Sequence, residues 1–196
     1  MSTRHSAIFL IAAGIVTIAA GLLLWHSPAT DLALHRALRV SADTRDIALL
    51  SSLGGLAVMG PVALAVAGWL AWRGDRRRAW WLVATIVSGR LVVEGLKLIV
   101  QRPRPPVPDR LELVTSWSFP SSHSAGATMT LLAFALLSGG RWPAMCGALL
   151  AAGVIGWSRV ALAVHWPSDV LAGWGCGMLW VGMAWRLAPS PPPARG

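Results

Sequence analysis

The chain has 196 residues, of which 55% are hydrophobic and 13% charged, with 17 Lys and Arg against 8 Asp and Glu and a mean hydropathy of +0.60. An ordinary soluble domain carries about 25% charged residues, so this composition excludes a disordered chain, a disulfide scaffold and a soluble enzyme. The net charge of +9 raises nucleic acid as a partner, but the basic residues lie in short loops between apolar runs, where membrane topology puts them, and that partner is set aside.

Uncharged runs cover Ala7–Trp25, Ile47–Trp72, Ser124–Gly140, Trp142–Ser158 and Val170–Trp185, and Ala79–Val100 is nearly uncharged. Each approaches the ~20 apolar residues that a helix needs to cross a ~30 Å hydrocarbon core. The expected fold is all-α, a six-transmembrane-helix bundle forming one domain over residues 1–187. A Pro-rich tail at 188–196 is expected to be disordered.

The first run is read as a retained helix. Arg4 and Ser27-Pro28-Ala29 weakly suggest a signal peptide, but 19 residues are long for a signal core. In the connection at 26–46, Leu34 and Leu38 lie beside Arg36 and Arg39, which suggests a short helix on the membrane surface, with a plain loop as the alternative. Cys146 and Cys176, both inside apolar runs, read as small buried hydrophobes. Gly173 and Gly177 form a candidate helix-packing face, although such pairs also arise by chance in Gly-rich helices.

With the N-terminus in the cytoplasm, eight basic residues fall on that side, led by Arg73, Arg76, Arg77 and Arg78. Eight also fall outside, but Lys97, Arg104 and Arg159 belong to the candidate site below, which leaves five. The balance places both termini in the cytoplasm of a cytoplasmic (inner) membrane. Trp25, Trp69, Trp72, Trp80, Trp81, Trp142 and Trp185 fall near span ends, as interfacial aromatic belts do.

Charges at membrane depth are functional suspects by default. Arg90, Glu94 and Lys97 share one face of the third span, because their spacings of four and three match the helical repeat. Arg90 and Glu94 read as a compensated ion pair. Lys97 leads into Gln101-Arg102-Pro103-Arg104-Pro105, where the prolines stop the helix and extend the chain. A lysine one turn below a rigid, arginine-bearing exit makes a cationic pocket.

A second cluster, Ser118-Phe119-Pro120-Ser121-Ser122-His123, precedes the fourth run. Pro120 fits a helix entry capped by Ser121 or Ser122, and unpaired N–H groups at a helix start form an anion site. Taken alone, the cluster reads as simple capping, with His123 at the interface. The third cluster joins Ser158-Arg159 to His165-Trp166-Pro167-Ser168-Asp169. Pro167 marks another helix entry, and an Asp four residues after His165 can reach back to its Nδ1–H, leaving Nε2 as a nucleophile or base. All three clusters emerge on the same side under the topology above, and that convergence distinguishes them from isolated structural residues.

Lys97, six residues, Arg104-Pro105; then Pro120-Ser121-Ser122-His123; then Ser158-Arg159, five residues, His165, three residues, Asp169: this order and spacing resemble the three-part signature of the type 2 phosphatidic acid phosphatase superfamily. The resemblance implies that His165 attacks phosphorus and forms a phosphohistidine, with Asp169 orienting it. It implies that His123 protonates the leaving oxygen and then activates water. Lys97, Arg104, Arg159, Ser121 and backbone N–H groups near Ser122 and His123 would hold the phosphoryl oxygens, with Arg102 and Glu94 as accessory candidates. Arg102 reads either as a ligand for a second phosphate or as a solvated or headgroup-facing residue. No metal or other cofactor is implied. The second motif commonly carries Gly where this chain has Ser122, which either strains the loop or adds a hydroxyl donor; we read it as a tolerated variant.

The function implied is an integral-membrane lipid phosphatase with undecaprenyl diphosphate as the first substrate candidate. Phosphatidylglycerophosphate, lipid A and phosphotransfer to another lipid are alternatives within the family. The expected partners are the lipid phosphate substrate and membrane lipids, with the site facing the periplasm. A lipid flippase or transporter using Arg90, Glu94 and Lys97 is the alternative from another class, and it leaves the second and third clusters without a role.

Overall fold

The structure, a computed structural model, describes residues 3–40, 44–106, 110–112 and 114–188. The predicted tail, from residue 189 on, lies outside them. The described residues form eight helices and no strand: α1 (Thr3–Trp25), α2 (Pro28–Leu38), α3 (Arg45–Leu53), α4 (Leu56–Trp72), α5 (Arg76–Val100), α6 (Ser122–Leu137), α7 (Trp142–Ala161) and α8 (Pro167–Arg186).

His5–Trp25, Arg45–Trp72 and Trp142–Ala161 are long and apolar enough to cross a membrane, and Ser122–Leu137 is a shorter apolar helix. Helices α5 and α8, of 25 and 20 residues, complete the bundle. Large apolar side chains such as Val16, Leu23, Leu64, Leu98 and Ile99 face outward. Water would oppose so much exposed apolar surface, whereas lipid accepts it. Trp72 and Trp80 are exposed at the Arg73–Arg78 end, where an interfacial belt belongs.

The second apolar run is not one helix, as expected, but breaks at Gly54-Gly55. Gly favours the break by its low helix propensity, and packing requires it. A Cβ on Gly54 would lie 2.3 Å from the Ile155 side chain, and one on Gly55 would lie 3.3 Å from Nε2 of His123.

Helix α8 is the axis of the fold, packed against α1, α5, α6 and α7. The Gly173/Gly177 face meets α6 so closely that added Cβ atoms would lie 2.7 Å from the carbonyl oxygens of Ser121 and Ala125. That close approach brings the start of α6 against the start of α8, where Ser121 N–H donates to the Asp169 carbonyl at 3.0 Å.

Two local expectations change. Residues 28–38 are helical, with Pro28 in the first turn, but the buried face carries Asp31 and His35 while Leu34 and Leu38 are exposed. The reason is an ion pair below α2, described next. Cys146 is exposed and Cys176 half-buried, so Cys146 is not a core hydrophobe.

Candidate active site

The C-terminal ends of α5 and α7, the N-terminal ends of α6 and α8, and α2 and α3 gather at one end of the bundle. Helix α5 stops at Gln101, whose left-handed φ of 50° turns the chain sharply into the Arg102–Pro105 segment. Ser118 lies against that segment, its N–H donating to the Arg102 carbonyl at 2.9 Å. Lys97, in the last turn of α5, is buried and donates from Nζ to the Trp117 carbonyl at 2.8 Å.

His165 lies between α7 and α8 and is held at both ring nitrogens. Nη1 of Arg104 donates to Nε2 at 3.0 Å and to the Val164 carbonyl at 2.6 Å. Because Nε2 accepts, Nδ1 carries the proton. Nδ1 faces Ser118 Oγ at 3.4 Å and Asp169 Oδ2 at 3.5 Å, while Ser118 Oγ donates to that same Oδ2. The expected reach of Asp169 to His165 is therefore bridged by Ser118. Burial holds the His165 pKa well below its usual 6.5, and the cations Arg104, Lys97 and Arg159 add to the shift. Burial and then Arg159 pull the Arg104 guanidinium down to about 10, so it stays charged at neutral pH.

Asp169 is fixed from behind. Its Oδ2 accepts from Trp166 N–H at 3.0 Å, which caps α8, and its Oδ1 accepts from Arg102 Nη1 at 2.6 Å. The same guanidinium pairs with Asp31 of α2 at 2.9 Å and lies over the rings of Trp25 and Trp166. Asp31 in turn accepts from the N–H and hydroxyl of Ser168. Arg102 is thus neither a phosphate ligand nor a headgroup-facing residue. Two carboxylates and two indoles hold it, because a buried cation needs such partners.

His123, on the first turn of α6, is half-buried and makes no hydrogen bond among the described residues. Ser121 caps α6: its Oγ accepts from Ser124 N–H at 3.4 Å and from Ser124 Oγ at 3.0 Å. That hydroxyl is buried in the cap, unlike the phosphate contact expected of it. Ser122 takes a helical conformation without positive φ, so Gly is not required there, and its hydroxyl donates to Glu94 at 2.5 Å. The expected Arg90–Glu94 ion pair is absent within 4 Å, and Nε and Nη2 of Arg90 are buried without a partner. Nη1 of Arg159 reaches Ser51 of α3 and Glu112, the latter at 2.7 Å.

One cavity of about 660 Å³ is lined by Lys97, Arg104, Ser122, His123, Arg159 and His165, with Glu94, Glu112 and Ser116 beside them. It continues as an apolar groove between α4 and α5, past Leu56, Gly60, Ala63, Leu64, Val83 and Val87. Asp169 and Arg102 stand behind this cavity, and Ser121 is buried in the cap of α6. Four contributors have no readable motif, Asp31, Glu112, Ser51 and Gly55, and Ser118 stands in the second cluster without a readable role. Asp31 and Glu112 carry one usable signal, since each is among only 8 acidic residues in the chain.

Residues 78–191 match the PAP2 superfamily. The chain is 37% identical over 120 residues to the decaprenylphosphoryl-5-phosphoribose phosphatase of Mycolicibacterium smegmatis, across 58% of this chain and 62% of that protein. It is 42% identical over 67 residues to the undecaprenyl-diphosphatase of Sulfolobus acidocaldarius, across 32% of this chain and 30% of the relative. The chain thus spans less than two thirds of the length of these relatives. The crystal structure of a transmembrane PAP2-type phosphatidylglycerolphosphate phosphatase from Bacillus subtilis superposes with a TM-score of 0.80 at 23% identity, covering 97% of this chain and 100% of that one. LpxE of Aquifex aeolicus superposes with a TM-score of 0.67 at 23% identity, covering 79% of this chain and 94% of that one. The chain belongs to the PAP2 superfamily.

Proposed function

From that membership we propose an integral-membrane lipid phosphatase that removes a terminal phosphate through a phosphohistidine, without a metal. The observation that carries this reading is the single cavity in which four cations, Arg90, Lys97, Arg104 and Arg159, and two histidines adjoin an apolar groove. A phosphoryl group in transfer spreads negative charge over its equatorial oxygens, and fixed N–H and cationic donors stabilise it. Lys97, Arg104 and Arg159 supply those donors, with the N-terminus of α6 beside them. A phosphoryl oxygen takes the place of the Glu112 carboxylate on Arg159.

As substrate binds, Arg104 turns its N–H from Nε2 of His165 to a phosphoryl oxygen; the freed Nε2 attacks phosphorus in line, the bond from phosphorus to the lipid oxygen breaks, and His123 gives that oxygen its proton. Asp169, through Ser118, stabilises the positive charge that develops on the His165 ring. Water then attacks the phosphohistidine, giving its proton to His123, and inorganic phosphate leaves. The half-buried His123, free of hydrogen bonds, suits a group that must meet the leaving oxygen and then water.

The apolar groove suits a lipid chain, and the substrate is a lipid carrying a terminal phosphate. Undecaprenyl diphosphate and a phosphoribosylated prenyl lipid are both of this class. We further read α1, α3–α4, α5, α6, α7 and α8 as six spans of the inner membrane, with both termini cytoplasmic and the site facing outward. The test is phosphate release by the purified protein in detergent with EDTA, across undecaprenyl diphosphate, phosphatidylglycerophosphate, phosphatidate and lipid A. Release from at least one lipid that persists in EDTA is expected. Loss of all release in EDTA would overturn the metal-free mechanism.

A further inference from the structure

Lys97, Glu94 and Arg90 descend one face of α5 into the cavity, and below them its wall is apolar. Lys97 and Arg90 are seven residues apart, about 10 Å along the helix axis. The Arg90 guanidinium lies against Gly126 of α6, where a Cβ would sit 2.3 Å from Nη2. Gly126 is four residues below Ser122, about 6 Å along α6. The two helices agree that this guanidinium lies one to two turns deeper than the phosphate donors.

A cation at that depth is costly without a counter-charge, yet Arg90 forms no hydrogen bond or ion pair among the described residues. Two of its nitrogens are buried and unpartnered. Its natural partner on the helix, Glu94, has one oxygen held by Ser122 instead. Read downward, the wall offers a cation, a carboxylate acceptor, a second cation and then apolar surface.

We propose that Arg90 is a second anion subsite, and that this enzyme selects lipids whose terminal phosphate is joined through a hydroxyl-bearing spacer to a second phosphate. The spacer hydroxyls donate to Glu94, the inner phosphate meets Nη1 of Arg90, the guanidinium nitrogen that is not enclosed, and the apolar chain follows along α4 and α5. A diphosphate does not fit this ladder. Its two phosphorus atoms share one bridging oxygen and lie closer than one helical turn of about 5.4 Å, so its second phosphate falls at the Glu94 carboxylate. The inference rests on the phosphatase reading for the position of the terminal phosphate.

The test measures binding, so it does not depend on turnover. His165→Ala protein in detergent is titrated with phosphatidylglycerophosphate, phosphatidate of the same acyl chains, and farnesyl diphosphate. The bridged lipid is expected to bind roughly tenfold or more tightly than phosphatidate, the scale of a charge-assisted hydrogen bond. Adding Arg90→Gln should reduce that ratio to about threefold or less, while Arg90→Lys, which keeps the charge, should retain part of it. A parent with no preference, a preference that survives Arg90→Gln, or an equal loss for all three lipids would overturn the inference. If the preference holds in His165→Ala while the His165-containing protein releases phosphate from no lipid, the phosphatase reading fails and the subsite stands.

Discussion

The two histidines of the cavity are built in opposite ways. His165 is fully enclosed, with an arginine on Nε2 and a serine–aspartate relay on Nδ1, and the relay is braced in turn by Arg102 and Asp31. His123 has no hydrogen-bond partner among the described residues, and a glycine backbone is its near neighbour. A nucleophile must hold one tautomer and one direction of attack, which the relay on Nδ1 supplies. A group that serves first as acid and then as base must reach two different oxygens, which a clamp would hinder.

The sharpest way to break this contrast is to delete each ring. His165→Ala and His123→Ala should each lower lipid hydrolysis by about 10³-fold or more. On p-nitrophenyl phosphate, whose leaving group needs no proton, His123→Ala should recover an initial burst of nitrophenol that His165→Ala lacks. Activity that survives His165→Ala would remove the nucleophile assignment altogether.

A smaller effect is expected from the relay. Ser118→Ala should lower kcat by roughly tenfold, the scale of one hydrogen bond to a charged group, and Ser118→Thr should restore most of it. The pH profile sharpens the same point. His165 must be neutral to attack, and its pKa lies well below 6.5, so kcat, which is free of the substrate's own ionisation, should stay level as pH falls through 6.5 and decline only in more acidic solution. A half-maximal point at or above 6.5 would mean that the ring is not held as described.

The smallest effect belongs to the unclamped side. Gly55→Ala puts a methyl group 3.3 Å from His123 Nε2 and 3.1 Å from the Ser52 carbonyl oxygen, tight enough to displace ring and backbone by a few tenths of an ångström. The expected outcome is a loss of about threefold in kcat with KM near wild type and a small fall in melting temperature, because the ring moves while the end of α3 shifts only slightly. A large fall in melting temperature would show instead that Gly55 serves the α3–α4 break.

Much of this molecule is legible in its amino-acid sequence. Seven of the eight helices begin or end close to the apolar-run boundaries, because helix ends are marked locally by prolines, capping residues and charges. Lys97, Arg104, Ser122, His123, Arg159 and His165, which line the cavity, come from three motifs whose spacing is a property of helix ends and short loops. Relations across the chain are not legible in this way. Arg90 and Glu94 have the spacing of an ion pair, yet Ser122 from another helix holds the Glu94 carboxylate. Arg102 has the sequence surroundings of a solvent-facing residue, but α2 brings Asp31 beneath it, a contact 71 residues away in sequence. Ser118 stands in the second cluster, yet nothing there marks it as the link between Asp169 and His165, since that role depends on tertiary contacts.

The sequence alone determined an all-helical membrane protein with a phosphate-binding set of cations and two histidines, because hydrophobic runs and local motif spacing are short-range properties. Tertiary structure decided which of those groups face the cavity and which stand behind it, because one arginine serves as ligand, brace or unpaired charge according to the carboxylates that packing brings to it.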